Sequence, residues 1–432
     1  MASGMSESGT SALLKERNTN LVTVRRDDIG QRSESVRRAN LSAIVRELHS
    51  DGALSRSELV ARTGLTRTAI RGLIGELVTA NLASEGPAVL LGTPGRPSPL
   101  VRLNPARAVV LGLEIAVDSL AVALVGAGGT VLQLERVDLP RGHTSVDEII
   151  GDLIDLSDMV LARLPRRDAL VGVGVSVVGV VRRTDGLVSM APNLGWRDVP
   201  LGRRLADALG LDVPVMVANE GDLGALAEAR RGAAIGADDV LFISSEVGVG
   251  GGLIAGGKPL GGAAGYGGEI GHIPVNPGGS ACRCGAVGCW ETEVGEGALL
   301  KRVGRSPGGG RGAVDEVLLE AERGVGHALA ALDDVGRWLG FGLAGLVNVF
   351  NPRLVVLGGL FGRSYPFVIE TVERELDRRA LPGPRGLVTI VPATLGIDAS
   401  LLGAAELALE PLLDDPAVLV GPREAVPELI SS

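Results

Sequence analysis

The chain opens on a polar stretch with no apolar period, and its first regular hydrophobic pattern begins near Val36. Leu41, Ile44, Val45 and Leu48 stand at i, i+3, i+4 and i+7, the stripe of an amphipathic helix. A second, short helix is expected over Ser57 to Arg62, stopped by Gly64. Thr66 then offers an N-cap for a third helix, whose buried stripe would be Ile70, Leu73, Ile74 and Leu77. Two short helices joined by a turn containing Gly are the signature of a helix-turn-helix. SEGPAVLLG and SPLVRLNP, separated by TPGRP, read as the strands of a following hairpin, so residues 37–104 are expected to form a winged helix-turn-helix. Residues 1–36, rich in Ser and Arg and aperiodic, read as a disordered arm.

From Ala108 the texture changes. VVLGLEIAVDSLAVALVGAGGTVLQLERV reads as three successive strands with turns at Asp118 and at Gly128-Gly129. VGVGVSVVGVV, VPVMVAN, VLFISSEVGVGGGLIAGG and LVVLGG are further buried strands, separated by helical stretches such as DEIIGDLIDLSDMVLARL. Strands alternating with helices predict α/β layers. The theme runs twice, opening near Val109 and again near Val240, so two α/β lobes with a cleft between them are expected, over residues 105–236 and 237–411. Residues 412–432 then read as an acidic C-terminal tail containing Pro.

Composition refines this picture. A chain of 432 residues is too long for one ordinary core. With 45% hydrophobic residues but only 2% aromatic, the cores must be built from Ala, Val, Leu and Ile. No apolar run approaches the ~20 residues of a membrane span. The N-terminal sequence lacks the apolar region of a signal peptide, so a cytoplasmic protein without membrane contact is expected. Residues 1–107 carry 15 Lys and Arg against 10 Asp and Glu, a balance of +5, whereas the remainder stands at −14. A basic head on an acidic body suggests that the head meets a polyanion. In a helix-turn-helix the second helix enters the major groove of double-stranded DNA, here presenting Thr66, Arg67, Thr68 and Arg71. Arg67 and Arg71 lie four apart beside the buried stripe, and Arg96 of Gly95-Arg96-Pro97 would reach a minor groove from the wing. Such heads work in symmetric pairs, so a homodimer or homotetramer on a pseudo-palindromic operator is expected. The plainer alternative is a helical dimerisation domain with a solvated arginine face.

All three cysteines fall within CRCGAVGC, ten residues after a histidine. Cys282, Cys284, Cys289 and His272 make a closed Cys3His set suited to one structural zinc per chain, with no open position for catalysis. Free thiols and a redox pair are the alternatives. Fastening this loop would also fix Glu269, three residues before His272, and Glu291, two after Cys289. Rigid carboxylates of this kind are good acceptors for sugar hydroxyls.

The head with GRPSPLVRLNP, then GLEIAVDSLAVALV, PNLGW, VANEGD, GVGGGLIAGG, GEIGH with CRCGAVGCWE, and NPRLVVLGG follow one another in an order that resembles the ROK family, over about residues 38–410. That family comprises bacterial sugar kinases and DNA-binding repressors derived from them. The resemblance implies a two-lobed, actin-like ATPase fold, a structural zinc, and a sugar site lined by Asn193, Asn219, Glu220, Glu269, His272 and Glu291. Against the family's kinases three motifs depart. The first phosphate loop, DxGGT, is here Glu114-Ile115-Ala116-Val117-Asp118. The second, GTGxGGG, keeps its glycines but has Val247 for the hydroxyl. The catalytic Asn-Asp-x-Asn is Asn219-Glu220-Gly221-Asp222. The pocket rim also differs, with Ser176-Val177-Val178-Gly179 in place of Ser-x-Pro-Gly. Phosphoryl transfer depends on positioning that these changes remove. The expectation is therefore a transcriptional regulator, a repressor of carbohydrate genes, which binds a sugar or sugar derivative and no ATP and is not an enzyme. Two other readings stay open: an active sugar kinase with a DNA-binding head, and a regulator controlled by docking a partner protein.

Overall fold

The computed structural model describes residues 26–86, 99–140, 145–164 and 166–421, and its first element is longer than the apolar stripe requires. Helix α1 spans Arg26–Asp51, followed by β1 (Leu54–Ser55), α2 (Arg56–Thr63), α3 (Arg67–Thr79), β2 (Ala83–Glu85) and β3 (Leu100–Leu103). The disordered arm expected over residues 1–36 is thus corrected: residues 26–36 are helical, and residues 1–25 lie outside the described residues. Charge pairing accounts for the extension. Glu34 meets Arg37 and Arg38 at i+3 and i+4, and Arg37, itself buried, also holds Glu76 of α3.

Local signals set the remaining boundaries of the head. Ser55 and Glu58 form a reciprocal capping box that starts α2, and Gly64 ends it in the left-handed conformation, at φ 70°. The Thr66 hydroxyl accepts from the Ala69 N–H and opens α3. Leu41, Ile44, Val45 and Leu48 of α1 are buried against Ile70, Leu73, Ile74 and Leu77 of α3. The wing is the antiparallel sheet β1-β3-β2. Residues 87–98, and with them Arg96, lie outside the described residues.

The first lobe is a five-stranded sheet in the order β11-β7-β4-β5-β6. It comprises β4 (Val109–Ile115), β5 (Ser119–Gly126), β6 (Thr130–Asp138), β7 (Leu170–Val177) and β11 (Val215–Asn219), the first three antiparallel and the rest parallel. A small sheet of β8 (Val180–Arg182), β9 (Leu187–Ala191) and β10 (Trp196–Val199) hangs from it. Helices α4 (Val146–Leu161) and α5 (Leu201–Leu209) cover one face, and α6 (Glu220–Arg231) leaves the end of β11 toward the second lobe. There β12 (Val240–Ser245), β13 (Val249–Ala255), β14 (Lys258–Pro259), β15 (Leu354–Gly358) and β16 (Thr389–Pro392) make a sheet in the order β14-β13-β12-β15-β16. Three antiparallel strands followed by two parallel ones repeat the pattern of the first lobe. Short helices α7 (Glu291–Val294), α8 (Glu296–Arg302) and α9 (Gly310–Glu322) precede the long α10 (Gly326–Phe350). After β15 come α11 (Gly359–Arg363), α12 (Tyr365–Arg379) and α13 (Pro382–Arg385). The core of this lobe gathers Leu241, Ile243, Val355 and Leu357 of the sheet against Leu339, Leu343 and Val372 of the helices.

The chain then returns. Helix α14 (Ala399–Asp414) lies on the second face of the first sheet, and α15 (Ala417–Val420) packs on the head. This corrects two expectations: α14 belongs with the first lobe although it was assigned to the second, and residues 412–421 are not a free tail, since Leu412, Leu413 and Ala417 are buried. Residues 422–432 lie outside the described residues. Small residues explain the close approach of α14: a side chain at Gly174 would stand 1.8 Å from the Ala404 carbonyl oxygen. One apolar cluster consequently runs from α1 through α15 and α14 into β4 and β5, joining head and body.

Two helices cross between the lobes, α6 outward and α14 back. Glu228, fully buried on α6, accepts from the N–H groups of Thr394 and Leu395, in the bend between β16 and α14, at 3.0 and 2.9 Å. The head rests on the far ends of both. His49, in the last turn of α1, bonds Glu406 of α14 at 2.8 Å, and Arg231 at the end of α6 donates to Glu406 at 2.7 Å and to the His49 carbonyl at 2.6 Å.

Candidate functional site

At the N-terminus of α6 the strand-to-helix turn builds the floor of a cleft. The Asn219 side-chain carbonyl caps α6, accepting from Gly221 N–H at 2.7 Å, while its amide donates to the Gly179 carbonyl at 2.8 Å. Its polar atoms therefore hold the turn, and Glu220, the next residue, projects from it. A pocket of about 50 Å³ opens here, and Asn193, Asn219, Glu220, Glu269, His272 and Glu291 all line it. The structure thus brings together every residue expected at a sugar site. The Glu220 and Glu269 carboxylates have no hydrogen-bond partner among the described residues, so their acceptor capacity faces the pocket.

Crowding of carboxylates leaves a clear electrostatic mark. Burial, then the charges of Glu114, Glu246, Glu269 and Asp118, push the Glu220 pKa up to about 8. Glu269 is raised by burial, against the opposing charge of His272. Because the folded pKa of Glu220 lies above its ordinary 4.5, its ionisation opposes folding increasingly from pH 4.5 to 8. We expect Glu220→Gln to raise the melting temperature by a few degrees at pH 8, with the gain vanishing toward pH 4.5. Calorimetric scans across that range check this, and a variant less stable than the parent at pH 8 would contradict it.

The wall opposite is the cysteine loop. The donor atoms of His272, Cys282, Cys284 and Cys289 all lie within 4.8 Å of one another. Cys284 and Cys289 sulfurs are 3.7 Å apart, as are Cys282 Sγ and His272 Nδ1. With metal–sulfur bonds of about 2.3 Å, the edge of a tetrahedron is close to that spacing, so the four donors fit a tetrahedral metal. His272 turns Nδ1 to the thiols, which leaves Nε2 for the pocket. Glu291, at the start of α7, stands beside the same cluster, with Oε1 2.9 Å from Cys282 Sγ.

Next to this pocket lies a second cleft of about 80 Å³ lined by Glu114, Asp118, Glu220, Glu246 and Val247, among others. Glu114 is buried, pairs with Arg136 at 2.5 Å and accepts from the Ser400 hydroxyl at the head of α14. The glycines of β13 have a packing reason. A side chain at Gly252 would stand 2.4 Å from the Gly221 carbonyl oxygen, and one at Gly251 would strike Ile270. Gly252 lets α6 lie directly on the sheet, and Gly251 makes room for Ile270.

In the head, Thr66, Arg67, Thr68 and Arg71 are exposed along the first turn and a half of α3. Neither arginine has an ion-pair or hydrogen-bond partner among the described residues, in contrast to Arg37, Arg46, Arg56 and Arg62 of the same head. The sequence reading missed two features. One is the His49–Arg231–Glu406 junction, whose only local signal is the Arg230-Arg231 pair at the end of a helix. The other is Arg283, between two of the cysteines, which lines the pocket and donates to Asn193 Oδ1 at 2.6 Å.

The model of the ROK family matches residues 110–411. The xylose repressor of Bacillus subtilis is 28% identical over 381 residues, covering 88% of this chain and 97% of that protein. A glucokinase of Streptomyces coelicolor is 30% identical over 321 residues, covering 70% of this chain and 98% of the enzyme. Among solved structures, a ROK family transcriptional regulator described as a homolog of the E. coli MLC protein superposes with a TM-score of 0.72 at 25% identity, covering 89% of this chain and 98% of that one. The doubled five-stranded topology is accordingly the actin-like ATPase fold.

Proposed function

Because the chain belongs to the ROK family, we propose that it is a DNA-binding transcriptional regulator, a repressor of carbohydrate-metabolism genes whose operator affinity is set by a sugar or sugar derivative held between the lobes. One observation carries this reading: similarity to the repressor takes in 88% of the chain, head included, whereas the glucokinase match takes in the 70% that corresponds to the body.

The site supports ligand sensing without phosphoryl transfer. Asp118 adds negative charge where a first phosphate loop would cradle phosphates, and Glu114, in place of that loop's Asp, is already bonded to Arg136 and Ser400. Of the glycines that remain in the second loop, Gly250 and Gly252 face α6, Gly251 faces Ile270 and Gly248 faces Asn193 and Glu291, so each has a neighbour within the protein. The cleft therefore takes no ATP, and a coupled assay is expected to detect no sugar-dependent ADP release. The metal is zinc, held as a structural clip by His272, Cys282, Cys284 and Cys289. Zinc supplies no chemistry of its own here; it fixes the segment from Glu269 to Glu291, whose carboxylates accept the sugar's hydroxyls while Glu220 faces them from α6.

Response reaches DNA through the crossing helices. Closing the lobes on a ligand shifts α6 against α14, and the head sits on the outer ends of both at His49, Arg231 and Glu406. Only a ligand that favours one closure can move this equilibrium. In a homodimer or homotetramer that movement changes the spacing of two α3 helices on a pseudo-palindromic operator. Arg67→Ala and Arg71→Ala should each weaken operator binding about 10- to 100-fold, the value of an arginine–guanine pair. Anisotropy on a DNA fragment selected by the protein from a random pool tests both, and unchanged affinity in both variants would remove α3 from the groove. No helix among the described residues is long and apolar enough to cross a membrane.

A further inference from the structure

The sugar pocket is the inner end of a larger space. A chamber of about 760 Å³ adjoins it and shares Pro192, Asn193, Gly248, Arg283 and Glu291 with it. Glu220 and Glu269 line the inner end alone, Lys301 lines the chamber alone, and Arg283 and Glu291 stand where the two spaces meet.

These two cations are unlike their neighbours. Arg302 holds Asp334 and Glu293, Arg305 holds Glu316 and Glu320, and Arg311 holds Glu246. Among the described residues neither Arg283 nor Lys301 makes an ion pair, and the one side-chain bond of Arg283 runs to the neutral amide of Asn193. The body carries a balance of −14, yet among the described residues that line the chamber Glu291 alone is acidic. Arg283 stands between Cys282 and Cys284, so a metal held by that cluster would hold its backbone as well.

From this we infer that the chamber is an anion subsite, and that the effector is a sugar carrying a phosphate monoester, seated with its ring among the carboxylates and its phosphate on Arg283 and Lys301. The inference rests on the sugar-binding reading of the pocket. A guanidinium matches a phosphate with two parallel N–H bonds, and a dianion takes a second cation without competition. Lys301 lines the chamber and not the inner pocket, so the second cation lies outward and orients the ligand with its ester in the chamber and its ring inward. Its phosphate replaces the Asn193 carbonyl as partner of Arg283, freeing that amide for a ring hydroxyl.

The test is calorimetry with matched pairs: glucose and glucose 6-phosphate, N-acetylglucosamine and its 6-phosphate, xylose and xylose 5-phosphate. At least one ester should bind ten-fold or more tightly than its parent sugar. The ratio of ester to parent affinity should fall toward one in Arg283→Gln, and should fall in Lys301→Gln, which lies outside the metal loop. Metal content measured on each variant keeps a loop failure apart from a lost contact. Parent sugars that bind as tightly as their esters, or a preference that survives both substitutions, would overturn the anion subsite and leave the sugar pocket standing. If neither sugars nor esters bind, the sugar reading itself falls, and this inference with it.

Discussion

Cys284→Ala should empty the metal site and abolish effector binding while leaving the body folded. The segment between His272 and Cys289 is rich in Gly and has little apolar core of its own. Cys282 and Cys289 are buried, but their surroundings are the loop itself. A structural metal supplies ordering free energy that such a loop lacks, about 10–16 kcal/mol in isolated zinc-finger peptides. Just beyond it, Trp290 is fully buried and its indole N–H donates to the Trp338 carbonyl at 2.8 Å. That anchor belongs to the helical core around α10 and survives loss of the metal. The unfolding should therefore be local, confined to the loop that aligns Glu269 and His272 with Glu220. We expect metal analysis to fall from one ion per chain to none, sugar affinity to drop at least 100-fold, and the main thermal transition to move by only a few degrees. Effector binding of ordinary strength in a metal-free variant would separate the clip from the pocket.

Arg231→Ala should produce the converse result, a protein that binds its effector but no longer answers to it. Glu406 lies buried where head, α6 and α14 meet. Burial alone would raise its pKa, but the hydrogen bond from His49 and the charges of His49, Arg231 and Arg230 outweigh it and bring the value down to about 2. That depression makes the junction a stabilising contact above pH 4.5, lost as pH falls from there toward 2. Removing one partner from a buried ionic cluster costs on the order of 3–5 kcal/mol when a charge is stranded. Glu406→Gln leaves Arg230 and Arg231 facing a neutral amide and should loosen the head visibly, as faster hydrogen exchange in the last turns of α1. Arg231→Ala is the gentler cut, since Arg230 and His49 still satisfy Glu406. Its effector affinity should stay within about three-fold of the parent, because the pocket lies at the opposite end of α6. Its operator affinity should become independent of effector. Retention of the full effector response would show that coupling runs by another route.

What could be read from the sequence was what short-range rules encode. The stripes of α1 and α3, the Thr66 cap, the turns around β5 and the metal donors all follow from spacing within about 20 residues, and each is where the pattern put it. The pocket was legible for a different reason, since its residues lie on recognisable motifs in a known order. What escaped were contacts between distant segments. Nothing near His49 announces Glu406, 357 positions away. Nothing in AAELALEPLLDD states that the helix returns to the first sheet, because Gly174 and Ala404 meet only once both lobes exist. The extra turns of α1 were hidden by composition: Arg37 reads as solvated until Glu76 and the Gly421 carbonyl surround it.

A ligand between the lobes should be felt by the head, and the most direct measurement of this is operator affinity as a function of that ligand. A labelled DNA site selected by the protein itself is titrated at fixed salt, with and without a sugar or sugar phosphate already seen by calorimetry to bind. Operator affinity should change at least ten-fold, and Arg231→Ala should abolish the change. Saturating effector that leaves operator affinity unaltered would contradict this.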